Sequence, residues 1–148
     1  MDPNLRALLG QQAGTVERPP AYPQGTYDVM IAKHAFDKSS EKKTDFVRFE
    51  TYVQRCVQLD DPTQQARLDK IDKTKRALND DFYITPDALY RLTEFLTKTL
   101  GFDASKPVDE LIPLARGQMY RVYVIEEPSK KPGDDAVYNR IATRGKVA

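Results

Sequence analysis

The sequence has few of the residues that catalytic and metal sites use most often. Its 148 residues include one cysteine, Cys56, one histidine, His34, and no tryptophan. A single cysteine excludes a disulfide within the chain, and one cysteine with one histidine cannot build a structural zinc site of the usual kind. A glycine-rich phosphate-binding loop is also absent. We therefore expect a protein that is not an enzyme and that uses no cofactor or metal.

Long apolar segments are missing as well. No run approaches the roughly 20 residues of a membrane span, and the N-terminus lacks the basic and then apolar pattern of a signal peptide. These absences predict a protein with no membrane partner, located in the cytoplasm. The length, the hydrophobic content of 40% and the charged content of 30% are typical of one globular domain.

An excess of charge of one sign is absent too. The chain has 23 Lys and Arg against 22 Asp and Glu, a formal net charge of +1. This balance does not favour a strongly basic nucleic-acid-binding protein. However, residues 138–148 contain Arg140, Arg144 and Lys146 and no carboxylate side chain. A nearly neutral protein can therefore still have a local basic strip.

The most informative segment that is present is the strand pattern at 46–55. Val47, Phe49 and Val53 alternate on the side that a core would take, as Val57 does further along. The other side has Phe46, Arg48, Tyr52 and Gln54. Rings can stack on unpaired bases and guanidinium groups can bind phosphates, so this face favours single-stranded nucleic acid. The alternative is that the rings pack beneath a helix or a loop.

Five segments alternate as strands do, and helical segments lie between the third and the fourth. The strands are predicted at 25–36, 46–58, 81–84, 118–126 and 136–143, and the helical segments at 63–78, 85–101 and 108–115. Thr85 and Pro86 are typical of the start of a helix, and Gly101 of its end. This order predicts a mainly β protein with a helical insert, a five-stranded OB-like barrel with the helix between the third and fourth strands. An α+β sandwich with helices on one face is the alternative.

Residues 1–24 are predicted to form an extended N-terminal arm before an OB-like domain at 25–148. Leu5, Leu8 and Leu9 could form one or two helical turns, whereas Pro19, Pro20 and Pro23 prevent regular structure. The arm is either a mobile tail or a segment that docks on a neighbouring subunit and so forms a homo-oligomer.

Two further strands and two loops add residues to the predicted nucleic-acid-binding surface. Each strand presents an arginine close to a tyrosine, and each loop has adjacent lysines that either clamp phosphates or lie in a solvated turn. The predicted binding residues are Phe46, Arg48, Tyr52, Arg121, Tyr123, Tyr138, Arg140, Lys42 and Lys43. Lys130 and Lys131 in the second loop have the same two interpretations.

Three stretches resemble small phage-encoded proteins that bind single-stranded DNA or take part in recombination. They are PQGTYDVMI at 23–31, the helical insert at 85–101, and ARGQMYRVYV at 115–124 with VYNRI at 137–141. The resemblance implies a barrel-like fold and single-strand binding in replication or recombination. A phage-encoded protein of this kind would act in the cytoplasm of its host.

The residues and the resemblance together predict non-sequence-specific binding of single-stranded DNA in phage replication or recombination. The alternative is a structural or assembly protein that uses the same fold for protein–protein contacts. A third class, a metal-dependent nuclease, is suggested by the neighbouring carboxylates Asp80 and Asp81. A turn before a strand explains that pair more simply.

Overall fold

A five-stranded antiparallel sheet dominates the computed structural model, which describes residues 1–15 and 20–147. The strands are β1 (Gly25–Lys38), β2 (Asp45–Leu59), β3 (Ala77–Tyr83), β4 (Met119–Pro128) and β5 (Val137–Gly145). They lie in the order β3-β2-β1-β4-β5, and the sheet is not closed. The predicted fold class is therefore confirmed: the protein is mainly β, with helical structure between the third and fourth strands.

Four short helices accompany the sheet in the described part of the chain. They are α1 (Pro3–Leu9), α2 (Gln65–Asp69), α3 (Leu89–Glu94) and α4 (Val108–Leu111). A π-helical turn, Phe95–Thr99, continues α3, and a 3-10 turn, Ile112–Ala115, continues α4. Within the described ranges, no helix has the length and apolar character that crossing a bilayer requires.

The insert that contains α3 covers one end of the core. Thr85 accepts a hydrogen bond on its Oγ1 from the N–H of Ala88, which caps a turn there, but α3 itself begins at Leu89, later than the start at Thr85 and Pro86 that the sequence predicts. Leu92, Phe95 and Leu96 are then buried at helical spacing. Their burial fixes α3 against the inner face of the sheet.

Alternating side chains of the strands build the core. Phe49 of β2 is fully buried, and its ring lies 5.9 Å from that of Phe82 on β3 and 5.5 Å from that of Phe95. Tyr120 of β4 meets Phe95 edge to face at 4.8 Å. Strand residues and insert residues therefore share one aromatic cluster, and aromatic pairs of this geometry stabilise a core beyond the area that they bury.

One of the three irregularities in the β1–β2 pairing explains a wrong prediction. Tyr27 lies opposite Cys56 although Thr26 lies opposite Gln58, so Val57 is an extra residue in β2. Such a bulge shifts the alternation by one position. Val57 is therefore exposed, where an unbroken period of two had predicted a core residue.

The third strand begins four residues earlier than the sequence predicted, at Ala77 instead of Asp81. Leu78, Asp80 and Phe82 alternate into the interior. A buried aspartate at the central inward position hid the strand pattern from sequence analysis, because a charged residue is rare inside a sheet. The helical segment predicted from 63 is correspondingly shorter and ends at Asp69.

The N-terminal residues divide into an exposed helix and a buried segment. Leu5, Leu8 and Leu9 of α1 are exposed, and α1 has no buried residue. Tyr22, which the prediction assigned to the arm, is fully buried and donates its hydroxyl to the carbonyl of Arg76 at 2.9 Å. The side chain of Asn139 on β5 bonds both the N–H and the C=O of Tyr22. Pro19 lies outside the described residues.

Candidate nucleic-acid interface

A buried ion pair connects β3 and β5, the two ends of the strand order. Arg144 donates from Nε and Nη2 to the carboxylate of Asp80, at 2.7 and 2.5 Å. Asp80 is 1% exposed and also accepts a hydrogen bond from the Tyr120 hydroxyl at 2.8 Å. Burial raises the pKa of the Asp80 carboxyl, and the hydrogen bond from Arg144 acts in the opposite direction. Side chains thus bring together two strands whose backbones do not pair in the sheet.

A groove follows this seam and continues beneath the loops. One cavity, of about 520 Å³, lies between β3 and β5 and is bordered by Arg91 of α3. A second, of about 710 Å³, lies between the β1–β2 loop at 39–44 and Lys130 of the β4–β5 loop. Tyr83 and Ala88 border both cavities. We call these two adjoining cavities together the seam groove.

One exposed ring stands at the middle of the seam groove. Tyr83, the last residue of β3, is 47% exposed. The ring of Phe46 packs edge to face against it, with centroids 6.0 Å apart. Phe46 therefore supports one side of the Tyr83 ring, and the exposed part of the ring is open to a ligand.

Three cations border the seam groove without an ion pair among the described residues: Lys42, Lys130 and Arg91. The two lysines come from loops on either side of the second cavity. Arg91 donates its Nε to the hydroxyl of Tyr90 at 3.2 Å, so its charge is not neutralised by that contact. Positive charge in the groove therefore comes from side chains that a phosphate could bind directly.

The arginines predicted from the sequence are instead all paired. Arg48 makes two hydrogen bonds to Asp81, at 2.8 and 2.9 Å. Arg140 bonds Glu127 at 2.7 Å. A phosphate would have to compete with these carboxylates, so each arginine offers less affinity than the sequence alone indicated.

Arg121 belongs to a separate cluster on the outer face of β1, β2 and β4. It donates to the carboxylate of Asp28 at 2.9 Å, and Arg55 donates to the same carboxylate at 2.6 Å. The Arg121 hydrogen bond lowers the pKa of Asp28 below its usual range, although burial opposes the shift. Asp28 is completely buried between the two guanidinium groups, which explains how an aspartate is tolerated in the middle of β1.

The predicted aromatic residues differ in exposure. Phe46 was expected on a solvent face, yet it is 8% exposed, because Tyr83 and the Arg48 guanidinium cover its ring. Tyr52 is partly buried and donates its hydroxyl to Glu50, and Tyr123 donates its hydroxyl to Asp60. Tyr138 is half exposed near the start of β5.

The structure therefore divides the predicted residues between two places. Lys42 and Arg140 border the seam groove, and Phe46 and Arg48 contact residues that border it. Tyr52, Arg121 and Tyr123 belong to the sheet away from the groove, and neither cavity is bordered by Lys43 or Tyr138.

Tyr83 and Arg91 are candidate ligand contacts that were not predicted from the sequence. The alternation Phe82 in, Tyr83 out was a usable signal for the ring. For Arg91 no local signal existed, because its place at the groove depends on how α3 packs beside the β3–β5 seam.

Asp80 and Asp81, the pair that suggested a nuclease, are both engaged by guanidinium groups, Asp80 by Arg144 and Asp81 by Arg48. They alternate between the inside and the outside of β3, so their carboxylates do not converge. Across residues 1–15 and 20–147, no three metal-ligating side chains come together. This arrangement does not favour a two-carboxylate metal centre.

Comparison of the chain with protein-family models finds no match, and comparison with curated proteins finds none either. Function is therefore inferred from the geometry of the seam groove and from the chemistry of its side chains.

Proposed function

We propose that the protein binds single-stranded DNA, without strong sequence preference, along the seam groove. The observation that carries this proposal is the meeting of two loops over one exposed ring: Lys42 and Lys130 border the same cavity as Tyr83. Open five-stranded barrels of the OB type bind oligonucleotides with strands 2 and 3 and with the loops that follow strands 1 and 4. The seam groove shares β3 and both of these loops, and its other strand is β5 instead of β2.

Stacking on Tyr83 supplies the contact that favours a single strand over a duplex. The ring can stack only on a base that is free of its partner, and such a contact contributes about 1–3 kcal/mol. Phe46 behind the ring reduces the conformational freedom that binding would cost. Because every base has an aromatic face, this contact predicts little sequence preference.

Phosphate binding is assigned to Lys42, Lys130 and Arg91. Three phosphate contacts to a single strand correspond to a slope of about −2 in the logarithm of affinity against the logarithm of salt concentration. Asp81 lies in the same groove and already neutralises Arg48. We therefore expect moderate affinity for single strands. Coating of single strands in phage replication or recombination is the role that the resemblance implies.

One observation favours an assembly protein as the second candidate. Arg48, Arg121 and Arg140 are all held in ion pairs, and α1 presents exposed leucines that contribute to no core. Exposed apolar side chains of this kind are typical of surfaces that bind another protein. Binding of oligonucleotides through the seam groove distinguishes the two candidates.

A charge-matched pair of double variants tests the proposal. Lys42→Ala/Lys130→Ala removes two groove cations, whereas Lys70→Ala/Lys106→Ala removes two exposed lysines elsewhere. In anisotropy titrations with labelled oligo(dT), the groove variant should bind less tightly, and its salt slope should be smaller by about 1.4. The control variant should behave as the wild type. Equal weakening by both variants would show that only net charge matters.

A further inference from the structure

The second half of β1 has an edge that no described strand covers. β4 pairs with β1 from Gly25 to Met30, while β1 continues to Lys38 and pairs there with β2 alone. Within this extension, Phe36 is 61% exposed. We call residues 33–38 the β1 edge.

The direction of the backbone groups along the β1 edge follows from the hairpin that ends it. Ser39 donates its N–H to the carbonyl of Thr44 across the turn, toward β2. Backbone groups of successive strand residues point to opposite sides, so Lys38, Phe36 and His34 turn their N–H and C=O groups toward the uncovered edge. The groups of Phe36 and His34 are available to another strand, whereas the N–H of Lys38 already donates to Oδ1 of Asp37 at 2.7 Å.

We propose that the β1 edge pairs with the same edge of a second copy, antiparallel and centred on Ala35. In this two-fold arrangement Lys33 lies opposite Asp37 of the second copy, and Asp37 lies opposite Lys33 of the second copy. His34 lies opposite Phe36 of the second copy, so the exposed Phe36 ring, which already lies 5.7 Å from His34 of its own chain, gains a second aromatic neighbour. Two ion pairs and two aromatic pairs therefore form by symmetry.

Charge complementarity selects this register. A centre between Ala35 and Phe36 would oppose Lys33 to Lys38, and it would also place outward backbone groups opposite inward ones. A centre at Phe36 would oppose Lys33 to Ser39 and Asp37 to Ala35, without ion pairs. Among the registers of residues 33–38 that match the directions of the backbone groups, only the one centred on Ala35 places opposite charges face to face.

The lysines of the β1 edge could instead oppose pairing, since lysine on an edge strand often prevents association with another strand. Asp37 changes that balance, because a lysine that meets a carboxylate across the two-fold axis is attracted to the second copy. Lys33 approaches Glu50 of its own chain at 3.7 Å while remaining largely exposed, so it can also reach a second carboxylate.

None of residues 33–38 borders the seam groove, so dimer formation is separable from the proposed DNA binding. It is also separable from docking through the N-terminal arm, which involves different residues.

Light scattering on the full chain after size exclusion, at concentrations up to about 100 micromolar, tests the proposal. We expect a dimer for the wild type. Asp37→Lys sets lysine against lysine twice and should weaken dimerisation by about tenfold or more. The double variant Lys33→Asp/Asp37→Lys exchanges the charges and should restore the dimer to within about threefold of the wild type.

Thermal melts of the three proteins confirm that each is folded at the temperature of the measurement. A monomeric wild type would overturn the proposal. A dimer that tolerates Asp37→Lys would also overturn it, because association would then use another surface. Failure of the charge exchange to restore a dimer lost in Asp37→Lys would exclude the register centred on Ala35.

Discussion

Arg144 on β5 and Asp80 on β3 form a buried ion pair across the two ends of the sheet. The strands that they join do not pair through their backbones, so the curvature that brings β3 near β5 depends in part on this contact. The Arg144 guanidinium also lies 4.7 Å from the centroid of the Phe82 ring. The ion pair thereby connects the seam to the aromatic core and forms one wall of the seam groove.

Removing the arginine should cost more than removing the whole pair. Arg144→Met leaves the buried Asp80 carboxylate without its cation, and we expect the free energy of unfolding to fall by about 3–5 kcal/mol. In Asp80→Asn/Arg144→Met this site keeps no buried charge, so the loss should be smaller. Urea unfolding of the three proteins measures both values. A loss below about 1 kcal/mol in Arg144→Met would show that Asp80 finds another partner.

The Asp28 cluster should make stability depend on pH in the acid range. Because the folded-state pKa of Asp28 is lowered, its contribution is fully present above the unfolded pKa of about 4 and is lost as pH falls through the folded value. Asp28→Asn should therefore lower the free energy of unfolding at pH 7, by about 1–3 kcal/mol. Water screens the mostly exposed Arg55, so the larger share comes from Arg121.

Urea unfolding of wild type and Asp28→Asn between pH 7 and pH 2 checks the sign. The difference between the two proteins should shrink as the pH falls, because protonated Asp28 resembles asparagine. A difference that stays constant across this range would mean that the charge of Asp28 contributes nothing to stability.

Neighbouring residues of β2 should differ sharply in their effect on stability. Phe49→Ala removes a buried ring from the aromatic cluster and should destabilise the protein by about 3–5 kcal/mol. Arg48→Ala removes a half-exposed ion pair with Asp81 and should cost less than about 1 kcal/mol. Thermal melts of both variants test the register of the strand. If the order were reversed, the assignment of inner and outer faces would be wrong.

Two truncations of the N-terminus should distinguish the contribution of α1 to stability from that of the buried segment around Tyr22. Deleting residues 1–20 removes the exposed helix α1 and should leave the melting temperature close to that of the wild type. Deleting residues 1–24 also removes Tyr22 with its bonds to Arg76 and Asn139, and should destabilise the sheet. Equal melting temperatures for the two truncations would show that Tyr22 is dispensable. Light scattering of the shorter deletion tests the separate prediction that the arm forms an oligomer.

Much of this fold was predictable because its strands alternate and its helices have recognisable ends. β1 and β4 largely follow the period of two, β2 follows it as far as Val53, and the insert follows the helical spacing of Leu92, Phe95 and Leu96. The start of β3 was not predictable in the same way. Asp80 occupies an inward position there, and its partner Arg144 lies 64 residues away, beyond any local pattern.

The candidate site was less predictable than the fold. A strand period assigns a side chain to a face, but it does not reveal a carboxylate on the neighbouring strand. The ion pair of Arg121 with Asp28, which lies opposite it on β1, could therefore not be predicted from the strand pattern. The groove itself depends on the approach of β3, β5 and two loops, which are distant in the sequence. Nucleic-acid binding by the β2 face that contains Tyr52 stays a prediction.

Two tyrosine variants distinguish the seam groove from that strand face. Tyr83→Ala removes the exposed ring of the groove and should weaken binding of labelled oligo(dT) by the 1–3 kcal/mol of one base stack, about 5- to 150-fold. Tyr52→Ala should have little effect, because Tyr52 does not border the groove. Tyr83→Phe keeps a ring and should bind like the wild type. The opposite order of effects would assign binding to the outer face of the sheet.

The most direct test of single-strand binding is a titration of the wild-type protein with fluorescent oligo(dT) at two salt concentrations, in competition with unlabelled duplex DNA and single-stranded RNA. We expect the single strand of DNA to bind more tightly than duplex, and its affinity to fall as salt increases, with a slope near −2. A preference for RNA would mean that the ligand is single-stranded RNA instead of DNA, with the seam groove still as the proposed binding site. Equal affinity for single strand and duplex, or no binding at low salt, would contradict the proposed function.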